Sequence, residues 1–389
     1  MKVFSNNNPK NKNKNGSQMS HPVWTVALTA NLKDEFIPDP DDPPDAGAEF
    51  DRMETIQNLT NAIKSEGHKV VFLQADKTLP KAILNLKPDI CFNIAEGISG
   101  DSREAQVPAL CELLGIPYTA SRILPNAVSL DKTMTKRIWR DHGLPTAPFQ
   151  EISMLEDVEK VNLNFPLFVK PAREGTGMGI DSQSVVQNMQ ELHDRVEWLL
   201  CTYHQPVLVE EFLPGREFTV GFIGNPGSPA NRRNPDLYDQ DGYHWFPILE
   251  IGLANSVSPT VYGHDAKSID IGDFGAPDYL CPADIPTTLA NQLIDLTRRA
   301  AQALNAADIS RVDFRMGADG KPYLLEINTL PGLNPAISDI CIMADAEGLS
   351  YNTLITEILY LAAERFGLPY NLIQWEIARK PVKLVSVKI

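Results

Sequence analysis

The chain has 389 residues, of which 43% are hydrophobic and 22% are charged, as in ordinary soluble globular proteins with two or three domains. Its formal net charge of -15 argues against a general affinity for nucleic acid or anionic membranes, because either partner would require a basic surface. The five cysteines form no CxxC or Cys/His cluster, and no segment approaches the roughly 20 apolar residues of a transmembrane helix, so neither zinc, a disulfide framework nor a membrane span is indicated.

The N-terminal part of the chain predicts a disordered tail followed by an α/β domain. Residues 1–20 are rich in Asn and Lys and lack the apolar core of a secretory signal, so we expect a cytoplasmic protein. An amphipathic helix from Met53 to Ile63 separates predicted strands at residues 23–28, 70–73 and 89–94. This alternation predicts a Rossmann-like parallel sheet over residues 21–120, with ligands at the carboxyl ends of its strands.

A second domain is predicted over residues 121–211. It begins with a helix at residues 130–142, on which we interpret Lys136 as a solvated surface charge. A strand at residues 165–171 carries Lys170 and leads into a loop with three glycines between residues 175 and 179. Backbone N–H groups in such a loop can approach phosphate oxygens closely, although the loop matches neither the Walker pattern nor a dinucleotide fingerprint.

The remaining residues, 212–389, are predicted to form a third domain. Residues 225–244, rich in Asn, Asp and Pro, are expected to be a flexible insertion, and the irregular stretch at residues 252–282 is a candidate lid. Helices are expected at residues 287–304 and 349–366, before and after a polar hairpin.

The hairpin combines two alternating runs, residues 311–316 and 323–328, around Asp319-Gly320. A two-residue type I′ turn at Asp-Gly would set Asp313 opposite Glu326 and Arg311 opposite Asn328 on one face. On the hairpin alone, a solvated face neutralised by Arg311 or Arg315 is the simpler interpretation. The alternative is a hard divalent cation such as Mg²⁺, which binds oxygen ligands and holds substrate phosphates.

Together these motifs resemble the ATP-grasp superfamily and, within it, the D-alanine–D-alanine ligase-like family. The resemblance runs from about residue 23 to residue 366. It rests on the order of seven motifs: Asp131-Lys132, Lys170 to Thr176, Glu210 with Glu217, Tyr262 with Lys267, Arg311 with Asp313, Glu326 with Asn328, and Pro331-Gly332.

The resemblance implies an α/β (α+β) ATP-grasp fold, in which two α+β subdomains beside the Rossmann-like domain clamp ATP. It implies a catalytic role for Arg311 at an oxyanion, with Lys267 and Thr176 as further catalytic residues. Two Mg²⁺ ions, for which Mn²⁺ can substitute, would be held by Asp313, Glu326 and Asn328. The residues implied in ATP binding are Lys132, Lys170, Lys267, Glu210, Glu211, Phe212, Leu213 and Glu217.

The substrate half departs from the family pattern. Glu96-Gly97 stands where those ligases carry His-Gly, Ser268 stands where they usually carry Tyr, and Thr176 replaces a serine. The predicted substrate-binding residues are Glu54 (preferred over Glu49), Glu96, Ser268, Gly332 and Ser338.

The resemblance therefore implies an ATP-dependent carboxylate–amine ligase that joins a small amino acid to a small acceptor through a phosphorylated intermediate, releasing ADP and phosphate. A mycosporine-type ligase, which condenses an amino acid with mycosporine-glycine, is an alternative. A non-catalytic nucleotide-binding regulator is a second alternative, against which Arg311 argues, since a mere binder forms no oxyanion. A homodimer is also compatible with the resemblance.

Overall fold

The computed structural model describes residues 22–257, 260–263, 269 and 273–370. The chain begins with the predicted parallel sheet, whose three strands run in the order β2-β1-β3. These strands are β1 (Thr25–Ala30), β2 (Lys69–Gln74) and β3 (Ile90–Asn93). The helices of this region are α1 (Met53–Lys64), α2 (Leu79–Leu86) and α3 (Gln106–Leu114).

A four-stranded antiparallel sheet follows, with its strands in the order β4-β7-β5-β6. They are β4 (Phe149–Ile152), β5 (Leu167–Pro171), β6 (Val185–Val186) and β7 (Val207–Glu211). The preceding helices are α4 (Ile123–Leu130) and α5 (Lys132–Asp141), and α6 (Met189–Tyr203) packs on the sheet. The helix predicted at residues 130–142 is α5, which begins at Lys132 because Asp131 is extended and its side chain accepts the N–H of Met134; α4 was not predicted.

The third sheet has six antiparallel strands. Their order is β11-β10-β8-β12-β13, and β9 is also paired to β8. Its strands are β8 (Glu217–Gly224), β9 (Tyr243–Trp245), β10 (Leu249–Gly252), β11 (Asp278–Leu280), β12 (Asp308–Met316) and β13 (Pro322–Asn328). Three helices complete it: α7 (Thr287–Leu304), α8 (Asp339–Glu347) and α9 (Tyr351–Phe366).

The hairpin of β12 and β13 has the predicted pairing at its functional end but a different turn. Arg311 lies opposite Asn328 and Asp313 opposite Glu326. The predicted two-residue type I′ turn is wrong: Met316 pairs with Pro322, which leaves a longer loop, and only Gly320 of the Asp-Gly pair has positive φ. A β-bulge next to Asp313 corrects the register by one residue, so the acidic side chains still meet.

Helix α9 joins the first sheet (β2-β1-β3) and the third sheet into one hydrophobic core. Its residues Leu354 to Ala363 are buried, and they belong to the same cluster as Val26 and Leu28 of β1 and Leu59 and Ile63 of α1. The sheet nearest the N-terminus is therefore packed against α9, the last helix within the described residues. The predicted domain boundaries at residues 120 and 211 stay predictions.

Residues 225–244 were expected to be a flexible insertion, and the structure contradicts this. Arg232 and Arg233 are each only 3% exposed, and they pair with Glu364 and Glu66. The segment is anchored because its cations are buried against acids on other elements. Within the described residues, no helix combines the length and apolar character needed to cross a membrane.

Candidate active site

A cavity of about 690 Å³, which we name the first cavity, lies between the two antiparallel sheets. Asp313 and Glu326 line it. The predicted metal carboxylates therefore share one cleft with the predicted ATP-binding residues. Those that line it are Lys132, Lys170, Glu210, Glu211, Phe212, Leu213 and Glu217.

Lys170 is held at the wall of the first cavity by a buried charge cluster. Its Nζ lies 2.9 Å from Glu210 Oε1, and Lys136 Nζ lies 2.9 Å from Glu210 Oε2. The prediction that Lys136 is a solvated surface charge is wrong, because its side chain is fully buried and donates to Thr146 and to the carbonyl of Leu324. Burial raises the pKa of Glu210, but the two lysines outweigh it and lower the pKa to about 2. Glu210 therefore stays ionised.

Arg315 also lines the first cavity, although no binding role was predicted for it. Its Nη1 lies 3.5 Å from Glu217 Oε2, and its guanidinium carbon lies 5.1 Å from the centroid of the Phe212 ring. Arg315 and Asp313 are two positions apart on β12 and so share a strand face, which is the signal that could have identified it. The Arg315 cation fixes the position of the Glu217 carboxylate, the predicted acceptor of ribose hydroxyls.

The acidic hairpin is neutralised by cations from the same cleft. Arg311 Nη1 lies 2.9 Å from Asp313 Oδ1, and Lys132 Nζ lies 3.4 Å from Glu326 Oε2. Asn328 Nδ2 donates to Asp313 Oδ2 at 3.3 Å. The three predicted metal ligands thus converge, and each carboxylate has a positive neighbour.

These oxygen donors fit a magnesium ion. Carboxylate and amide oxygens are the hard ligands that Mg²⁺ prefers. Within the described part of the chain, no group of three or more His, Cys, Asp or Glu side chains could hold a metal ion by itself. That is compatible with Mg²⁺, because this ion usually keeps several waters and takes phosphate oxygens as its remaining ligands.

A second cavity of about 540 Å³ adjoins the first, with which it shares Lys132, Glu174 and Glu326. Four of the predicted site residues, Arg311, Thr176, Glu96 and Gly332, lie in its wall together with Asn328. Two further acids, Glu49 and Glu104, complete it. A molecule in this cavity would lie next to the acidic hairpin.

Glu49, and not Glu54, reaches the second cavity. The structure places Glu54 on the exposed face of α1, and it lines neither the first nor the second cavity. Glu49 Oε2 lies 2.7 Å from Arg103 Nη2, and the same guanidinium nitrogen lies 3.0 Å from Glu174 Oε2. The preference for Glu54 is therefore corrected: its position at the start of α1 points it to solvent, whereas Glu49 lies in the loop that faces the cavity.

Arg311 separates the second cavity from a third, which has a volume of about 1280 Å³ and also contains Ser338. Arg311 Nη1 lies 2.7 Å from Asp339 Oδ2, in addition to its contact with Asp313. Its Nε and Nη2 make no hydrogen bond to any residue that the structure describes. Arg311 is thus anchored through one nitrogen, and its other N–H groups can donate to a substrate oxygen.

The glycine loop covers the junction of the second and third cavities. A Cβ atom on Gly175 would lie 2.1 Å from Glu49 Oε1, so a larger residue there would displace the Glu49 carboxylate. Thr176 has φ of 48°, is exposed, and lines both cavities. Two predicted site residues, Lys267 and Ser268, lie outside the described residues, as do residues 1–20.

Comparisons with known proteins agree with this architecture. Residues 138–360 match the family model described as "D-ala D-ala ligase C-terminus". A D-alanine–D-alanine ligase of Bordetella petrii is 35% identical over 66% of this chain and 72% of its own. An uncharacterized protein of Sinorhizobium fredii, y4sG, is 31% identical over 79% of this chain and 87% of its own.

The fold comparison gives the same result. The crystal structure of a D-alanine–D-alanine ligase from Bacillus anthracis complexed with ATP has a TM-score of 0.63 and 20% identity, and covers 89% of this chain and 99% of its own. The two antiparallel sheets on either side of the cleft are the ATP-grasp fold, which confirms the predicted fold class. The chain belongs to the D-alanine–D-alanine ligase family. As predicted, it is an ATP-dependent ligase that forms C–N bonds, so the non-catalytic regulator is set aside.

Proposed function

We propose that this ligase joins a small first substrate to an amino acid through a phosphorylated intermediate, with ATP in the first cavity. The observation that carries the proposal is the junction at Arg311. The first and second cavities meet at Lys132 and Glu326, and the second and third meet at Arg311 and Thr176. Three adjoining cavities suit a nucleotide, an oxygen that receives phosphate, and an amine.

The charged residues of the first cavity suit phosphoryl transfer. Lys132 and Lys170 are point charges for ATP phosphates, and Lys267 is proposed as a third. Asp313, Glu326 and Asn328 would hold Mg²⁺, proposed as two ions with Mn²⁺ as a possible substitute. When bound, these ions would neutralise charge on the β- and γ-phosphates. Glu210 keeps Lys170 in place, and Glu217 is positioned by Arg315 to accept from ribose hydroxyls.

The reaction then has two displacements. A carboxylate oxygen of the first substrate attacks the γ-phosphorus of ATP, the bond to the β-phosphate oxygen breaks, and ADP leaves. The neutral amine of the second substrate attacks the acyl carbon, inorganic phosphate leaves, and the nitrogen loses a proton. Arg311, through its unpaired N–H groups, would donate to the oxyanion formed at that carbon. Because an acyl phosphate hydrolyses in water, the loop at Gly175 and Thr176 is proposed to exclude solvent.

The proposal is tested by phosphate release from ATP over a panel of D- and L-amino acids, alone and in pairs. Glu326→Gln keeps the size of the side chain and removes a metal ligand, so we expect phosphate release to fall by at least about 10³-fold while the fold persists. The control is Glu159→Gln, which changes an exposed acid outside the three cavities. Turnover of Glu326→Gln at the wild-type rate would refute the metal role.

The mycosporine-type reaction is a second candidate. Carboxylates in the second cavity, Glu96 among them, could accept hydrogen bonds from a polyhydroxylated ring. In that case a cyclohexenone oxygen would take the phosphate and the amine would end as an imine. Incubation with mycosporine-glycine, ATP and an amino acid distinguishes the two, because a conjugated imine changes the ultraviolet spectrum and an amide does not. A cytoplasmic location and a homodimer also stay proposals.

A further inference from the structure

The second cavity contains more negative charge than its own cations neutralise. Glu49 and Glu174 share Arg103, which lies behind the wall, and Glu326 pairs with Lys132. Arg311, the other cation in the wall, is already held by Asp313 and Asp339. Each charged residue named here therefore has an opposite partner.

Glu96 and Glu104 are the exceptions. Both line the second cavity, and neither carboxylate makes a hydrogen bond or an ion pair with any residue in the described part of the chain. Burial and the neighbouring acids raise the pKa of both groups, that of Glu104 to about 8, whereas Arg103 acts in the opposite direction. Two largely buried carboxyl groups without partners either keep their protons or take a cation as a partner, and a bound cation would favour the ionised form.

The proposed substrate of this ligase is an amino acid, so the cation that these side chains would meet is an ammonium group. An ammonium group differs from a metal ion, because it donates up to three hydrogen bonds and needs no fixed coordination geometry. An organic cation is therefore the ligand that suits the acidic side chains lining the second cavity.

We propose that Glu96 and Glu104 bind a positively charged side chain of the first substrate, which would make this substrate a diamino acid. The inference rests on the proposed function, because it places the phosphorylated carboxylate beside Lys132 and Glu326. The α-ammonium group then lies near Glu49, whose charge is already shared with Arg103. A second ammonium group neutralises the remaining acids, which a neutral amino acid such as alanine cannot do.

The test compares substrates that differ in one ammonium group. Ornithine is compared with norvaline, and 2,4-diaminobutyrate with 2-aminobutyrate, each as D and L forms, by ADP release in the presence of an amine panel. We expect kcat/KM for the diamino acid to exceed that of its neutral analogue by about 10- to 100-fold, as for a desolvated charge-assisted contact. Equal rates within a pair, or a preference for the neutral member, would overturn the inference.

Variants connect the preference to the two residues. Glu96→Gln and Glu104→Gln should each reduce the ratio of kcat/KM for the diamino acid to kcat/KM for its neutral analogue by about tenfold. The double variant should bring this ratio near one. Asp101→Asn is the matched control: Asp101 lies near Glu104 in sequence, pairs with Arg173, is exposed, and does not line the second cavity. Should a Gln variant fail to fold, Glu96→Asp and Glu104→Asp, which shorten the side chain but keep its charge, should give an intermediate ratio.

A binding measurement separates this inference from the proposed function. Titration calorimetry of ornithine and norvaline into wild-type protein without ATP requires no turnover. Tighter binding of ornithine that is lost in the double Gln variant supports the charge role even if no product forms, and in that case only the proposed function fails. Product formation from neutral substrates, with no preference in binding or rate, removes the inference and leaves the function intact.

Discussion

At the scale of single residues, Lys136 is the charge on which the order of the first cavity depends. It lies on α5, reaches Glu210 at 2.9 Å, and is shielded completely from solvent. Burial lowers the pKa of Lys136, and its contact with Glu210 opposes that effect. The positions of the Glu210 and Lys170 side chains therefore depend on Lys136.

We predict that Lys136→Met destabilises the protein by about 1–3 kcal/mol, because Glu210 Oε2, Thr146 and the carbonyl of Leu324 lose a buried donor. The same change should weaken ATP binding, since Lys170 loses its fixed partner. Urea denaturation gives the free energy, and KM for ATP gives the binding effect. Lys160→Met is the control: Lys160 pairs with Asp157 on the surface, with 74% of its side chain exposed, and should change little. Equal stability of the two variants would contradict the prediction.

Motif residues were predictable from sequence because their chemistry is local. Lys170 lies near the end of a strand that precedes a glycine loop, and Asp313 and Glu326 belong to one hairpin. Lys136 and Glu54 show where this stops. A lysine on a helix is usually solvated, and only the packing of α5 on β7 and β13 buries Lys136. The choice between Glu49 and Glu54 depends on loop geometry that no periodicity encodes.

At the scale of elements, the β-bulge in the hairpin performs two tasks. It keeps Asp313 opposite Glu326, although the pairing register beside the turn is shifted by one residue from the predicted register. It also inserts Leu325, so that two consecutive residues, Leu325 and Glu326, line the first cavity. Strict alternation would direct Leu325 to the opposite face. The acidic face was predictable from its period, and the apolar contact was not.

We predict that Leu325→Ala raises KM for ATP about tenfold, because the nucleotide loses apolar contact area. The effect on kcat should stay within about twofold, since Asp313 and Glu326 stay opposite each other. Leu325→Met conserves volume and serves as the control. Initial-rate kinetics with ATP varied at saturating amino acid gives both parameters. A loss of kcat with unchanged KM would show that the bulge acts on the metal ligands instead.

At the scale of the whole molecule, α9 connects parts of the chain that lie far apart in sequence. Tyr360 contacts His68 of the N-terminal region, and Arg365 pairs with Asp308 of β12. Glu357 accepts the hydroxyl of Tyr238, from the segment that was expected to be flexible. The helix itself was predictable from its sequence, but its partners were not, because long-range packing leaves no local signal.

Glu357 makes the stability of this assembly depend on pH. Only 4% exposed, it has a pKa of about 7, because burial raises the value more than Tyr238, Arg233 and Arg232 lower it. A carboxyl whose pKa is raised by folding binds its proton more tightly in the folded state. Its contribution is therefore complete below the unfolded value of roughly 4.3, and it is lost as pH rises through about 7.

We predict that Glu357→Gln removes this dependence. Between about pH 5 and pH 8, the unfolding free energy of the wild type should fall relative to the variant by about 2–3 kcal/mol. Glutamine keeps an acceptor for Tyr238 and does not titrate, while other raised acids such as Asp51 titrate in both proteins and cancel in the difference. Urea denaturation at several pH values measures it, with Glu364→Gln, a partly exposed acid on the same helix, as the control. Parallel pH curves for wild type and Glu357→Gln would mean that the buried carboxyl stays ionised beside Arg232 and Arg233.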